Sequence, residues 1–236
     1  MNQQDMRNRL KKTEWILRIK GILSGAVPVI IMGLILFISA GTVNWPMAWF
    51  ILGVLFISTT FVTLFCDPDL IVERTNKQKG GKDWDNRLLK VMNLTGFLTL
   101  LVAGLDMRYD MNGEIPDSIF FIAITIFLFS YCFLSWAILK NPFFSLIVRI
   151  QDERDHHVII SGPYQIVRHP GYLGLFLITL TQPLILGSLL AIIPGVITGV
   201  LLILRTSIED DTLFTELNGY CDYAQNVRYR LFPCAW

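Results

Sequence analysis

The residues best suited to chemistry lie in one short stretch, Ser161-Gly162-Pro163-Tyr164-Gln165-Ile166-Val167-Arg168-His169-Pro170-Gly171-Tyr172-Leu173-Gly174. It sets a guanidinium, an imidazole and two phenols among turn formers and against an apolar run, a mixture that no lipid-facing helix needs. Gly162-Pro163 and His169-Pro170 each interrupt regular backbone, because proline lacks an N–H and pushes the residue before it out of helical geometry. Gly174 lets a neighbour come close to the helix that follows. The stretch reads as a binding loop at the mouth of a membrane domain. A second pair, Arg205 and Glu209, is spaced i, i+4 and so shares one helix face, where the two either pair or jointly address a zwitterionic ligand.

The elements that must position these residues are apolar helices. Of 236 residues, 53% are hydrophobic and 17% charged, with a mean hydropathy of +0.52. The apolar residues come in long blocks rather than at amphipathic spacing, the pattern of an integral membrane protein. The blocks are Ile22 to Ala40, Pro46 to Phe65, Leu88 to Leu105, Ile119 to Leu139, Tyr172 to Leu186 and Leu189 to Leu204. A span needs roughly 17–25 residues, which the first four supply. The last two are short and meet at Gly187-Ser188, which predicts a tight hairpin starting inside the headgroup region. The expected fold is therefore all-α, with about six transmembrane helices. Residues 1–20 are expected to form an interfacial amphipathic helix with Trp15, Ile16 and Ile19 against the bilayer. Residues 21–140 would hold the N-terminal membrane helices, and 141–236 one continuous region bearing the site.

Every Lys and Arg except Arg108 falls before the first block, between the second and third (Lys90 just inside the third), after the fourth or after the sixth. By the positive-inside rule this puts both termini, the Pro/His loop and the tail in the cytosol, with Gly41 to Asn44, Asp106 to Asp117 and Gly187-Ser188 outside. The net charge of +1 conceals this asymmetry. The first apolar run lacks a small-residue cleavage site and reads as a retained anchor. Cys66, Cys132, Cys221 and Cys234 show no CxxC spacing and no disulfide is expected. His156 and His157 stand beside Asp152, Glu153 and Asp155, but no second ligand cluster accompanies them and no metal is expected. Asp106, Arg108 and Asp110 read as a solvated outer turn, and Trp84 as an interfacial anchor. The tail residues from Tyr220 to Pro233 mix aromatic, basic and apolar types, as an interfacial tail or as part of the site.

The pattern Gly162-Pro163-Tyr164, Arg168-His169-Pro170, Tyr172 and Gly174, followed one hairpin later by Arg205, Glu209, Leu213, Gly219-Tyr220, Tyr223, Arg230 and Pro233, resembles the isoprenylcysteine carboxyl methyltransferase family and its phospholipid methyltransferase relatives. The likeness covers the chain from about Asn141 onward. Upstream, Asp67-Pro68-Asp69-Leu70, Glu73-Arg74, Trp84-Asp85 and Gly104-Leu105-Asp106 resemble the prokaryotic branch, which implies a prokaryotic inner or plasma membrane. Many members carry two adjacent glutamates where this chain has Glu209-Asp210, so the shorter second acid is a departure.

The resemblance implies S-adenosylmethionine as methyl donor and S-adenosylhomocysteine as product, in a cytosolic pocket between the Pro/His loop and the C-terminal helix. Gln151, His156, His157, Val158, Ile159, Tyr164, Arg168, His169, Pro170, Gly171, Tyr172 and Gly174 are the implied cofactor residues, with Glu209 closing the pocket and Arg205 facing the acceptor. Arg205 and Glu209 are the expected catalytic pair. Arg168 or His169 suits the donor's carboxylate, Glu209 its ammonium, and Tyr164 and Tyr172 its ring or sulfonium. The implied acceptor is a lipophilic small molecule or lipid-modified group bearing a carboxylate, which Arg205 would orient. A phospholipid amine would need a general base, for which Glu209 is nearest. Two other readings stay open: an NADPH-dependent membrane reductase of the sterol type, which uses a similar Arg-His-Pro-x-Tyr segment, and a non-catalytic membrane scaffold. No G-x-G-x-x-G follows a strand, which speaks against a soluble Rossmann methyltransferase. Membrane lipids are expected partners and nucleic acid is not.

Overall fold

The computed structural model describes residues 3–76, 80–111 and 115–236, with side chains from Lys12 onward. Of the cations used above, Lys77 and Lys79, and the side chains of Arg7, Arg9 and Lys11, lie outside the described residues, as do Met1 and Asn2. The chain forms α1 (Gln3–Ala40), α2 (Pro46–Phe65), α3 (Pro68–Thr75), α4 (Asp83–Tyr109), α5 (Asp117–Lys140), α6 (Pro170–Ile185), α7 (Ile192–Glu216) and α8 (Tyr220–Asn226). Two short 3₁₀ turns, Asp152–Arg154 and Gly162–Gln165, lie between α5 and α6. Among the described residues there is no strand. Helix starts follow local chemistry: Pro46, Pro68 and Pro170 open α2, α3 and α6, where a missing N–H costs nothing. The Asp67 carboxylate caps α3 by accepting from the Asp69 amide at 2.8 Å.

Among the described residues, five helices are long and apolar enough to cross a membrane, in α1, α2, α4, α5 and α7, while α6 has 16 residues. The last apolar block lies within α7, which continues past Leu204 through Arg205 and Glu209 and runs 25 residues to Glu216, because no Gly or Pro intervenes there and its charged residues find partners. The expected N-terminal helix and the first apolar block are one uninterrupted helix, α1, with no break near residue 20. Trp15, Ile16 and Ile19 on it are exposed.

Contacts between helices run α1 to α2, α2 to α5, α5 to α6, α6 to α7, α7 to α4 and α4 back to α1, a closed bundle. Without an aqueous phase to drive helices together, small residues and interhelical hydrogen bonds hold such bundles. A Cβ added at Gly174 would stand 3.0 Å from Leu134 Cβ and 3.1 Å from the Ser130 carbonyl oxygen of α5. One at Gly195 would stand 2.7 Å from the Thr179 carbonyl oxygen of α6, so the α5–α6 and α6–α7 interfaces each rest on a glycine. Ser58 and Ser135 bridge α2 and α5 at 2.9 Å, and Thr198 donates to Thr95 at 2.7 Å between α7 and α4. Arg18 donates to the carbonyls of Thr63 and Leu64 at 2.8 and 2.6 Å and so serves the open C-terminal end of α2.

The outer acidic turn is corrected in part. Asp106 is buried rather than solvated, because α4 continues past it to Tyr109. Asp110 ends that helix in left-handed geometry, with φ at 48°. All four cysteines are free thiols.

Candidate functional site

The antiparallel course of the helices brings three segments to one end of the bundle: α3 with the start of α4, the connection 141–169, and the tail after α7. Their charges interlock them. Lys82 donates to Glu216 at 2.6 Å, tying the start of α4 to the end of α7. Glu73 of α3 accepts from Arg149 at 2.8 Å and from Ser145 at 3.2 Å. Arg149 also reaches Glu153 at 2.7 Å.

The connection is shaped by local bonds. Asn141, extended ahead of Pro142, accepts from the Phe143 amide at 2.9 Å and donates to the Tyr164 hydroxyl at 3.0 Å. Gln151 is fully buried. Its amide donates to the Phe143 carbonyl at 2.8 Å and its oxygen accepts from Arg154 at 2.6 Å. Phe143 then packs between His156 and His157, with ring centroids 4.5 and 5.0 Å away. His156 accepts the Gln151 backbone N–H on Nδ1 at 3.3 Å. Burial, helped by the charges of His157 and Arg154, pushes its imidazole down to about 4, so it stays neutral at physiological pH. Gly162, at φ 63°, starts the second 3₁₀ turn in a geometry that side chains disfavour.

Asp210 gathers the Pro/His loop and the tail. Its fully buried carboxylate accepts from Arg168 Nε and Nη2 at 2.9 and 2.7 Å, His169 Nε2 at 3.0 Å, Tyr220 Oη at 2.7 Å and Arg230 Nε at 2.8 Å. Backbone bonds repeat the clasp: the Arg168 amide donates to the Tyr229 carbonyl and the His169 amide to the Arg230 carbonyl, each at 2.9 Å. Tyr223 adds a bond from its hydroxyl to the Tyr164 carbonyl at 2.7 Å. Burial pushes the phenols of Tyr164, Tyr220 and Tyr223 above their ordinary range, so all three remain neutral donors. The tail is thus part of the site's wall rather than a free interfacial appendage.

Between these parts lies a cavity of about 820 Å³, counting its open mouth. Of the residues singled out in the sequence, His156, His157, Val158, Ile159, Tyr164, Arg168, His169, Pro170, Gly171, Tyr172 and Glu209 all border it. Three expected site residues do not. Gln151 is spent on holding the loop, and Gly174 on the α5–α6 contact. Arg205, expected to face the acceptor, is buried behind Tyr172. Its fork grips Asp85 at 2.7 and 3.1 Å and the Leu146 carbonyl at 3.0 Å, and its Cζ lies 5.2 Å from the centre of the Tyr172 ring. It does not pair with Glu209, which instead accepts from the Tyr172 hydroxyl. Arg168, a candidate for a ligand carboxylate, has its fork filled by Asp210 and the carbonyls of Val227 and Arg228, and His169 shares that carboxylate.

Sequence reasoning missed the wall formed by residues 141–149, including Phe143, Phe144, Ile147 and Arg149. Only Asn141-Pro142, a helix stop, hinted at it. Phe144 reaches over Gly171, where an added Cβ would lie 2.4 Å from its ring. Gly171→Ala should therefore displace that ring and cost about 1–3 kcal/mol, the usual range for overpacking. Thermal unfolding in detergent checks this; an unchanged melting temperature would show that the ring does not seal the wall.

A closed bundle of helices long and apolar enough to cross a membrane, with a pocket sunk into one end between the last helices and their loops, defines a multi-pass membrane protein. Residues 122–215 match the model of the isoprenylcysteine carboxyl methyltransferase (ICMT) family. The matched segment contains α6, most of α5, nearly all of α7 and the whole Pro/His loop, while Asp85, α8 and the tail lie outside it. No curated protein matches the chain.

Proposed function

We propose that this protein is an S-adenosylmethionine-dependent methyltransferase whose pocket opens on the cytosolic side and which methylates a carboxylate on a lipophilic, isoprenylcysteine-like acceptor. One observation carries this reading. Glu209 is the sole carboxylate among the residues bordering the cavity, and among the described residues no cation pairs with it. The two guanidiniums in the wall, Arg149 and Arg168, are both neutralised by carboxylates behind them. The pocket therefore offers an uncompensated negative charge among aromatic faces, which suits an ammonium and a sulfonium. A dinucleotide carrying several phosphates would need free cations there, which disfavours the reductase reading.

When bound, the donor would supply an electrophilic methyl group on its sulfonium. The chain's own work is then placement. Glu209, steadied by the Tyr172 hydroxyl, would hold the ammonium, while Tyr164, Tyr172 and Phe143 line the cavity beside it. Neutral His156 adds no positive charge to repel a cation. Such a displacement is accelerated mainly by alignment at roughly 3–3.5 Å and by a dry, fixed electrostatic setting. A carboxylate acceptor needs no base, which fits a pocket whose sole carboxylate is occupied by the donor. An amine acceptor would require Glu209 to do both tasks.

The test is calorimetry on detergent-purified protein with S-adenosylhomocysteine and with NADPH, followed by transfer from methyl-labelled donor to membrane extract and to a prenylated cysteine. Binding of S-adenosylhomocysteine alone, and a labelled product that releases methanol in alkali as an ester does, are the expected results. An alkali-stable product would shift the acceptor to an amine. NADPH binding without S-adenosylhomocysteine binding would overturn the proposal.

A further inference from the structure

Asp85 stands on α4, outside the family segment, and its side chain does not border the cavity. It is nonetheless fully buried at the wall's back. One oxygen accepts from Arg205 Nε at 2.7 Å; the other accepts from Arg205 Nη2 at 3.1 Å and from the Val148 amide at 2.7 Å. Val148 belongs to the cavity wall, and the Lys82 amide, three residues before Asp85, donates to the Val148 carbonyl at 3.2 Å. Arg205, so held, lies against the Tyr172 ring, and the Tyr172 hydroxyl donates to Glu209. A chain of contacts thus runs from α4 through α7 and α6 to the one carboxylate that meets the ligand.

Resting on the methyl-donor reading above, we propose that Asp85 is a positioning residue of this site: it fixes Arg205 behind Tyr172 and Val148 in the wall, and thereby sets the orientation of Tyr172 toward Glu209. A buried guanidinium needs a carboxylate wherever it stands, so stability alone would account for the pair. The ring and the Val148 amide are what make the pair bear on the pocket. The position of Arg205 is decided by a residue from the N-terminal half, which gives α4 a part in a cavity lined by residues after Lys140.

The experiment separates the two roles. S-adenosylhomocysteine affinity by calorimetry and melting temperature in the same detergent are measured for the wild type, Asp85→Asn, Arg205→Gln and the double variant. Asp85→Asn strands a buried cation, so both quantities should fall. The double variant leaves a neutral amide pair and should regain much of the melting temperature. Its affinity should stay roughly three- to thirtyfold below wild type, the equivalent of losing the cation behind the Tyr172 ring. Recovery of wild-type affinity along with stability would overturn the proposal and leave Asp85 a purely structural residue. If neither single variant folds, Asp85→Glu keeps the charge but shifts the fork by one methylene. It should melt near wild type yet bind more weakly, and equal affinity would sink the proposal. A wild type that binds no S-adenosylhomocysteine would instead remove the donor reading itself.

Discussion

Glu209→Gln is expected to weaken S-adenosylmethionine binding by roughly ten- to hundredfold, the loss of about 1.5–3 kcal/mol for a hydrogen bond to a charged group. The substitution keeps the shape, and its amide oxygen can still accept from Tyr172, so the fold should hold. The expectation follows from charge: Glu209 borders the cavity without a cationic partner, whereas Arg149 and Arg168 have theirs. Calorimetry with both donor and product adds resolution. S-adenosylhomocysteine keeps the ammonium but lacks the sulfonium charge. If Glu209 meets the ammonium, both ligands lose affinity alike. If it faces the sulfonium, the donor alone loses. An unchanged affinity for both would place the ligand's cationic end elsewhere and remove the main support for the proposed function.

Asp210→Ala is expected to be the most damaging substitution for stability, at about 3–5 kcal/mol, the usual cost of breaking a buried ion pair from one side. Two guanidiniums, an imidazole and a phenol converge on this carboxylate. Removing it leaves Arg168 and its neighbours without their common acceptor. The backbone bonds from Arg168 and His169 to the tail would survive singly. The tail should therefore loosen before the bundle does, giving a lower melting temperature and faster digestion from the C-terminus by carboxypeptidase. Asp210→Asn should fall between wild type and alanine, because it keeps shape and one acceptor oxygen but loses the charge. A melting temperature and digestion rate equal to wild type would mean that the loop–tail clasp contributes little.

The departure at Glu209-Asp210 gains a physical meaning from this arrangement. Adjacent helix residues point about 100° apart, so one acid reaches the cavity while the next turns toward the loop and tail. The shorter side chain of Asp210 suffices because Arg168, Tyr220 and Arg230 reach in to it. The two acids are neighbours in sequence with separate tasks.

Much was legible in the linear chain. Block lengths disclosed the membrane class, and turn residues marked the loop from Ser161 to Gly174 as a place where regular backbone gives way to chemistry. Eleven expected site residues border one cavity, because loop residues close together in sequence can hardly avoid sharing a site. Hydropathy alone ends the last apolar block at Leu204, whereas α7 runs on to Glu216, with Arg205 and Asp210 buried among partners from elsewhere in the chain.

What the sequence by itself determined is what depends on neighbours along the chain: the apolar spans, the broken backbone before α6, and the shared helix face of Arg205 and Glu209. Which charges pair was decided by tertiary structure alone. Arg205 sits one turn from Glu209 yet binds Asp85, 120 residues away, and Arg168 binds Asp210 rather than remaining free for a ligand. The physical reason is that a buried charge must be matched by whichever opposite charge the fold brings within bonding distance. Only after those matches are made does Glu209 emerge as the pocket's unmatched carboxylate.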